Sequence, residues 1–301
     1  MASALRRLAE KAGRSLAYAV APRFAAARTF ARLRRAGRLD PELELIPALL
    51  EPDRLGVDVG ANAGFWALAM ARHASRVLAV EPIPELARAL HRRMPRQVRV
   101  LACALSDREG SAALRIPADV GRATIEAANP LGDAPVERVL RVPLQRLDRL
   151  PLEAPLGLVK IDVEGHELAV CRGGAERLAA DRPALVVEAE ERHRPGAVAA
   201  LRAFLAPLGY RGFFLGGFGL EPVERFDPSR HQPVDAAGRP APGAEGYVNN
   251  FLFVPAEGVG RLEAAVRTLP RRATGGRPAA PPALREPPCC GAVGAVGTKS
   301  C

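Results

Sequence analysis

Apolar residues recur along this chain in short runs, at 55–59, 77–80, 98–104, 156–163, 184–188, 212–215 and 250–254, each rich in Val, Leu, Ile or Phe. Between several of these runs the apolar positions follow helical spacing instead: 65–74, 84–94 opened by Pro84 and Glu85, 166–180, and 197–208 closed by Gly209. Runs that are apolar on both faces, separated by amphipathic segments, are the pattern of parallel strands joined by crossover helices. The expected fold class is α/β, with helices on both faces of a mostly parallel sheet. Two further short strands are expected at 112–116 and 139–143, decorating the sheet edge around a Gly/Asn/Pro-containing loop at 121–135.

A chain of 301 residues suits one such domain with appendages and can bury a full core without disulfides. Three segments are expected: a basic helical arm at 1–40, the α/β domain at 41–256, and a Pro/Gly/Ala-rich tail at 257–301 that is largely disordered, since its last thirty residues hold few large apolar side chains. The net charge of +10 resides in the appendages: residues 1–40 hold ten Lys/Arg against Glu10 and Asp40, and 257–301 hold seven against three acids, which leaves the middle at −2. A protein that reads nucleic acid carries its positive field on the folded domain, so no nucleic-acid partner is expected. The arm, with Leu5, Leu8, Leu16, Phe24 and Phe30 among arginines, reads as a helix capping the domain; the second reading is weak peripheral contact with a membrane or another anionic surface. Its longest apolar run, 16–21, is too short for a signal-peptide core, and nothing approaches a ~20-residue membrane span. Cysteines at 103, 171, 289, 290 and 301 form no CxxC pair and have no ligand-like spacing to histidine. A reducing, cytoplasmic location follows as the expectation, with no metal site.

Chemistry concentrates first at Val57-Asp58-Val59-Gly60-Ala61-Asn62-Ala63-Gly64, which leaves the first strand and enters a helix. Glycines there permit positive φ and a close backbone approach to a ligand, and Asn62 is among the few other residues that tolerate the left-handed region. The helix that follows turns its amino end to the same place. The second strand ends in Val80-Glu81-Pro82, and Glu81 follows Gly60 at the spacing that brings an acid to a ribose diol. A carboxylate accepts from both ribose hydroxyls and repels a 2′-phosphate, so the ligand is a nucleoside with a free diol. NAD and S-adenosylmethionine both meet that demand. The glycines fall as GxxxG, without the GxGxxG that clears a pyrophosphate, and Asp58 could accept from the α-amino group of a methionine. S-adenosylmethionine is therefore the expected cofactor.

With these residues in place the chain resembles the FkbM family of methyltransferases. The likeness is carried in order by DVGANAG at 58–64, VEP at 80–82, LQRLD at 144–148, KIDVEGHE at 160–167, RPALVVEAE at 182–190 and NNFLFV at 249–254, so it spans roughly residues 50 to 255. The resemblance implies the Rossmann-like class I methyltransferase fold, a seven-stranded sheet of order 3-2-1-4-5-7-6 with its last strand antiparallel. It also implies O-methylation, with acceptors that include sugars and polyketide-type natural products. Asp58, Gly60, Asn62, Gly64 and Glu81 match the family's cofactor-binding elements, and Ala104, after the third strand, would lie along the adenine.

Ligands of open α/β sheets bind outside the carboxyl ends of the strands, so the end of the fourth strand, Ile161 to Glu167, should face the reacting methyl group. Alternation puts Asp162 and Glu164 on one side, and Gly165 turns the chain so that His166 opens the next helix. Methyl transfer from a sulfonium is an in-line displacement that depends on alignment, and an alcohol nucleophile must also lose a proton. His166 and Asp162 are the expected bases, with Glu164 orienting the acceptor. Glu188 and Glu190 are weaker candidates because Arg192 and Arg194 stand near them to pair. The acceptor, a small molecule or carbohydrate, would be enclosed by 118–135 and 216–246, with Phe213, Phe214, Phe218 and Tyr247 available as lining. Two rival readings are a nicotinamide-dependent oxidoreductase, which lacks its glycine fingerprint here, and a non-catalytic scaffold that keeps the fold.

Overall fold

The computed structural model describes residues 21–131, 134–217, 219–236, 239–241 and 246–269. Eight strands form one twisted sheet. Its centre is β1 (Leu55–Val59), flanked by β2 (Arg76–Val80) and β3 (Val98–Leu101) on one side. On the other side come β7 (Leu156–Ile161), β8 (Ala184–Glu188), β11 (Asn250–Pro255), β9 (Tyr210–Gly216) and β10 (Gly219–Pro222). All neighbours are parallel except that β11 runs against both β8 and β9, and β10 returns against β9 as a hairpin. The seven expected strands thus keep their relative order and the antiparallel last strand. The count is corrected to eight, because the chain after Gly216 turns back and pairs again at the open edge.

Helices cover both faces, as the doubly apolar central strands require. On one side α1 (Pro22–Arg35), α2 (Phe65–Met70) and α3 (Pro84–Arg93) enclose a core with Phe30, Trp66, Met70, Leu90, Leu158, Val186 and Leu252. On the other, α4 (Glu167–Gly173), α5 (Ala175–Asp181) and α6 (Ala197–Leu205) pack over Val57, Val159, Val187, Phe214 and Phe251. The single helix expected over 166–180 is two, broken at Gly174, where two consecutive glycines have low helix propensity and Leu147 fills the joint. Packed structure runs past both expected domain boundaries. Phe30 and Leu33 of α1 enter the first core, and Leu262 of α7 (Val259–Thr268) does the same. Residues 1–20 of the expected arm and 270–301 of the expected tail, with Cys289, Cys290 and Cys301, lie outside the described residues. Among the described residues no helix is long and apolar enough to cross a membrane.

The segment after β3 departs from expectation. Instead of one strand over 98–104, β3 ends at Leu101 and the chain crosses to β4 (Ala104–Leu105). With the long hairpin β5 (Gly110–Pro117) and β6 (Val136–Gln145), β4 makes a separate three-stranded sheet. The two strands expected as edge decoration are therefore longer, and they stand apart from the main sheet. Their apolar side, Leu114, Ile116, Val142 and Leu144, packs with Ile83 and Ala104, which is what holds this sheet beside the carboxyl ends of β2 and β3.

Candidate active site

At the carboxyl ends of β1, β2, β4 and β7 lies a partly open cleft, the place where open α/β sheets bind their ligands. Gly60, Asn62, Glu81, Ala104, Asp162 and Glu164 all line it. An apolar slot of Ile83, Leu86, Ala104, Leu105 and Leu114 opens on one side, and the loop 120–125 closes over it.

Glu81 is built for acceptance. Its Oε2 accepts from the Asn62 N–H and its Oε1 from the Ile83 N–H, both at 2.8 Å. Asn62 can present that N–H because its φ of 44° lies in the left-handed region. Each carboxyl oxygen has a second lone pair with which it can accept a further hydrogen bond. Burial pushes the Glu81 carboxyl up to about 7, against the pull of its two N–H donors. The residues present therefore fit a nucleoside: a buried double acceptor for a diol beside a slot for a flat apolar base.

Asp58 and Gly64 are not in the cleft, which corrects their expected role. Strand alternation turns Asp58 to the opposite side from Val57 and Val59, where its Oδ2 accepts from the Ala67 N–H of α2 at 2.9 Å. It fixes the helix to the strand and shapes the glycine turn from beneath. Gly64, with φ of 78°, leaves room for α3: a Cβ there would stand 2.6 Å from Leu90 Cδ2 and 2.7 Å from Met94 Cε.

Asp162 and Glu164 stand in the cleft wall, but His166 does not. Glu164 and Gly165 both take positive φ, 55° and 104°, and this turn carries His166 behind the wall. There its Nε2 lies 2.9 Å from Ser106 Oγ and its Nδ1 3.2 Å from Glu126 Oε2. Both ring nitrogens are engaged and burial lowers its pKa, so His166 acts as a fastener between β4, the lid loop and α4 and is withdrawn as a base. Thr124 Oγ1 and Asn129 Nδ2 both donate to the Glu164 carbonyl, at 2.8 and 2.7 Å, clamping the same loop onto the turn. The Glu164 carboxylate lies 3.1 Å from His193 Nε2, and burial with the nearby Glu188 and Glu190 raises its pKa well above the ordinary carboxylate range. Glu167 turns back to accept from the Gly165 N–H at 2.8 Å, and burial pushes it up to about 7.

Of the weaker candidates, Glu190 forms a two-pronged pair with Arg192 at 2.7 and 2.8 Å and accepts from the Tyr247 hydroxyl. These partners hold it down at about 2 despite burial. Arg194 instead reaches Glu126, at 3.6 Å. Phe213 and Phe214 are core residues, Tyr247 is occupied with Glu190, and Phe218 lies outside the described residues. The lid loop's fasteners, Ser106, Thr124, Glu126 and Asn129, carry no motif and are found only from the fold. Among the described residues no group of three or more His, Cys, Asp or Glu is placed to hold a metal ion.

The raised carboxyls give a pH signature to the cofactor-free protein. Asp58 at about 6 and Glu81 and Glu167 at about 7 all lie above their unfolded values, chiefly through burial. A carboxyl with a raised folded value contributes full stability below its unfolded pKa and loses it as pH rises through the folded one. Urea midpoints are therefore expected to fall from pH 5 to pH 8, with roughly 3 kcal/mol at stake for each group before the buried His166 offsets part of the change. Stability that rises across this window would mean these carboxyls ionise without penalty.

The family model described as methyltransferase FkbM domain matches residues 58–211, just over half of the chain and every residue that lines the cleft. No curated protein matches. Among similar solved structures, methyltransferase FkbM from Methylobacillus flagellatus is 14% identical over 79% of this chain, with a TM-score of 0.40; this chain spans 60% of that one. A SAM dependent methyltransferase from Aquifex aeolicus is 13% identical, with 75% of this chain and 96% of that one covered and a TM-score of 0.37. An rRNA methylase from Streptococcus thermophilus is 9% identical, with 71% and 95% covered and a TM-score of 0.37.

Proposed function

Because this chain belongs to the FkbM methyltransferase family, we propose that it is an S-adenosylmethionine-dependent O-methyltransferase acting on a hydroxyl of a sugar or hydroxylated natural product. The observation that carries this reading is Glu81, a buried carboxylate anchored by two backbone N–H groups beside the apolar slot. Glu81 would hold the ribose diol, and Ala104 with Ile83, Leu86, Leu105 and Leu114 would hold the adenine. The bound cofactor supplies an electrophilic methyl group on a sulfonium.

The chain's own residues then position the acceptor and take up its proton. Asp162 offers a carboxylate at the cleft wall, a third of its side chain open to the space. Glu164, held by its own loop, orients the acceptor from the same wall. Alignment supplies much of the acceleration, and a positioned base about 10²–10⁴-fold more.

Isothermal titration with S-adenosylhomocysteine and with NAD tests the cofactor: binding of the former is expected, and tight NAD binding with no response to the former would overturn the reading. Incubation with methyl-labelled S-adenosylmethionine and a panel of sugars and hydroxylated natural products tests the acceptor, with NMR locating the new methyl group on oxygen. On an acceptor so found, Asp162→Asn is expected to slow turnover by about 10²–10⁴-fold while S-adenosylhomocysteine still binds. Unchanged turnover removes Asp162 as the base.

A further inference from the structure

A lysine stands one residue from the carboxyl end of a strand that is otherwise apolar on both faces. Lys160 of β7 is 1% exposed, and its Nζ donates to Asn250 Oδ1 on β11 at 2.9 Å. It lies 3.8 Å from Asp162 Oδ2 and 3.9 Å from Glu188 Oε2, so one ammonium stands between the two carboxyls. The ammonium also sits 5.6 Å above the centre of the Trp66 ring of α2, a cation–π contact. Lys160 does not line the cleft, whereas Asp162 does.

Register explains why these groups meet. Asp58 of β1 is opposite Lys160, and Asn250 of β11 is opposite Glu188, so all four side chains belong to the same face of the sheet, beneath α2. The charged and polar groups facing the set are Asp58 from β1, Asp40 preceding the domain's first turn, and Asn250 backed by Glu42. From the strand ends come Glu164 and Glu167, and from beyond β8 Glu190 with Arg192 and His193.

Two buried carboxyls gathered at one ammonium cannot both be ionised cheaply, because like charges held close together repel. A neighbouring ammonium opposes this and favours one negative charge. We infer that Lys160 is a positioning residue that holds the Asp162–Glu188 pair at one shared proton and one negative charge, so that Asp162 meets the acceptor as a base. Ammonium plus singly charged pair is then neutral overall, the arrangement that buries at least cost. Asp162 is raised well above the ordinary carboxylate range by burial and by Glu188, while Lys160 pulls it down; burial lowers the ammonium, but its carboxylate neighbours outweigh that and raise it.

The catalytic consequence rests on the methyl-transfer reading above. The acceptor O–H bond breaks and its proton passes to the ionised carboxyl. The oxygen lone pair forms the new C–O bond, and the electron pair of the breaking C–S bond remains on sulfur. The pair then holds two protons and returns one to solvent.

Carboxyl-labelled ¹³C NMR titration of the cofactor-free protein tests the charge arrangement without an acceptor, the Asp162 resonance being assigned by its loss in Asp162→Asn. The wild type is expected to keep one proton on the pair at pH 7. Lys160→Met should raise the lower midpoint of the pair by about one to three pH units, and Lys160→Arg should restore it. A lysine that only fills space would lower the melting temperature and leave the midpoint unmoved, which would overturn the proposal. If Lys160→Met does not fold, Glu188→Gln decides. Asp162, freed of its like-charged neighbour and still beside the ammonium, should titrate at a clearly lower pH than in the wild type. A value that stays high means the ammonium is not holding its charge, and the proposal fails. Both outcomes are independent of whether S-adenosylhomocysteine binds.

Discussion

Glu81→Ala is expected to weaken binding of S-adenosylhomocysteine by roughly 10²-fold or more while the sheet stays folded. A hydrogen bond to a charged group is worth about 1.5–3 kcal/mol, and a carboxylate facing a diol makes two. Truncation removes both and also orphans the N–H groups of Asn62 and of the buried Ile83, which now donate to Glu81. That second loss costs about 1–3 kcal/mol per unsatisfied group and falls on folding as well as on binding. Glu81→Gln separates the two effects, since its amide oxygen still accepts from one N–H and its nitrogen repels the other donor. Calorimetry on both variants, with urea denaturation alongside, reads each part. Undiminished affinity in a folded Glu81→Ala protein would remove the nucleoside from this end of the cleft.

The same carboxyl predicts how affinity should follow pH. Burial places Glu81 at about 7, so below neutrality it is increasingly protonated and competes less well for a hydroxyl donor. Affinity should climb by up to about tenfold per pH unit toward 7 and then level.

The parts of the site legible from sequence are those set by local chemistry. A glycine turn directly off a strand, followed at the right distance by an acid at the end of the next strand, needs no knowledge of distant contacts, and Gly60, Asn62 and Glu81 meet in the cleft as their spacing requires. Asp58 lies outside the cleft because adjacency in a motif says nothing about side; alternation alone sends it beneath the sheet, to the Ala67 N–H. His166 stands behind the cleft wall for a related reason. Its place depends on a positive φ at Glu164, a residue that rarely takes one, and on clamps from Thr124 and Asn129 some forty residues earlier. No local pattern announces the three-stranded sheet as a separate layer, because its register is set by packing of Leu114, Ile116, Val142 and Leu144 against Ile83 and Ala104. Lys160 did carry a signal. A lysine inside LGLVKI, a strand buried at every position, must have partners, and Asp162, two residues further along the chain, is one the sequence itself supplies.

Gly60→Ala is expected to be the most damaging single methyl in the domain. With φ of 79°, the position already charges an alanine about 1–2 kcal/mol for left-handed backbone. A Cβ there would also stand 1.8 Å from the Asp162 carbonyl oxygen and 3.0 Å from its carbon. Both neighbours are backbone, so no side chain can swing aside. Relief requires prising the end of β1 from the end of β7, which strains the Asp162 N–H to Val59 bond at 3.0 Å and the Gly60 N–H to Val80 bond at 2.9 Å. These are the central strands of the sheet, and their separation would open the cleft where Glu81 and Asp162 face one another. The expected loss is more than about 4 kcal/mol in urea denaturation, in the range that marks a forced clash. Gly196→Ala isolates the conformational part, because Gly196 has nearly the same φ, 77°, and a Cβ there meets nothing within 4 Å. It should cost only about 1 kcal/mol. If Gly60→Ala proves no costlier than Gly196→Ala, the close approach of the glycine turn to the Asp162 backbone does not exist, and the geometry that joins cofactor loop to acceptor wall is wrong.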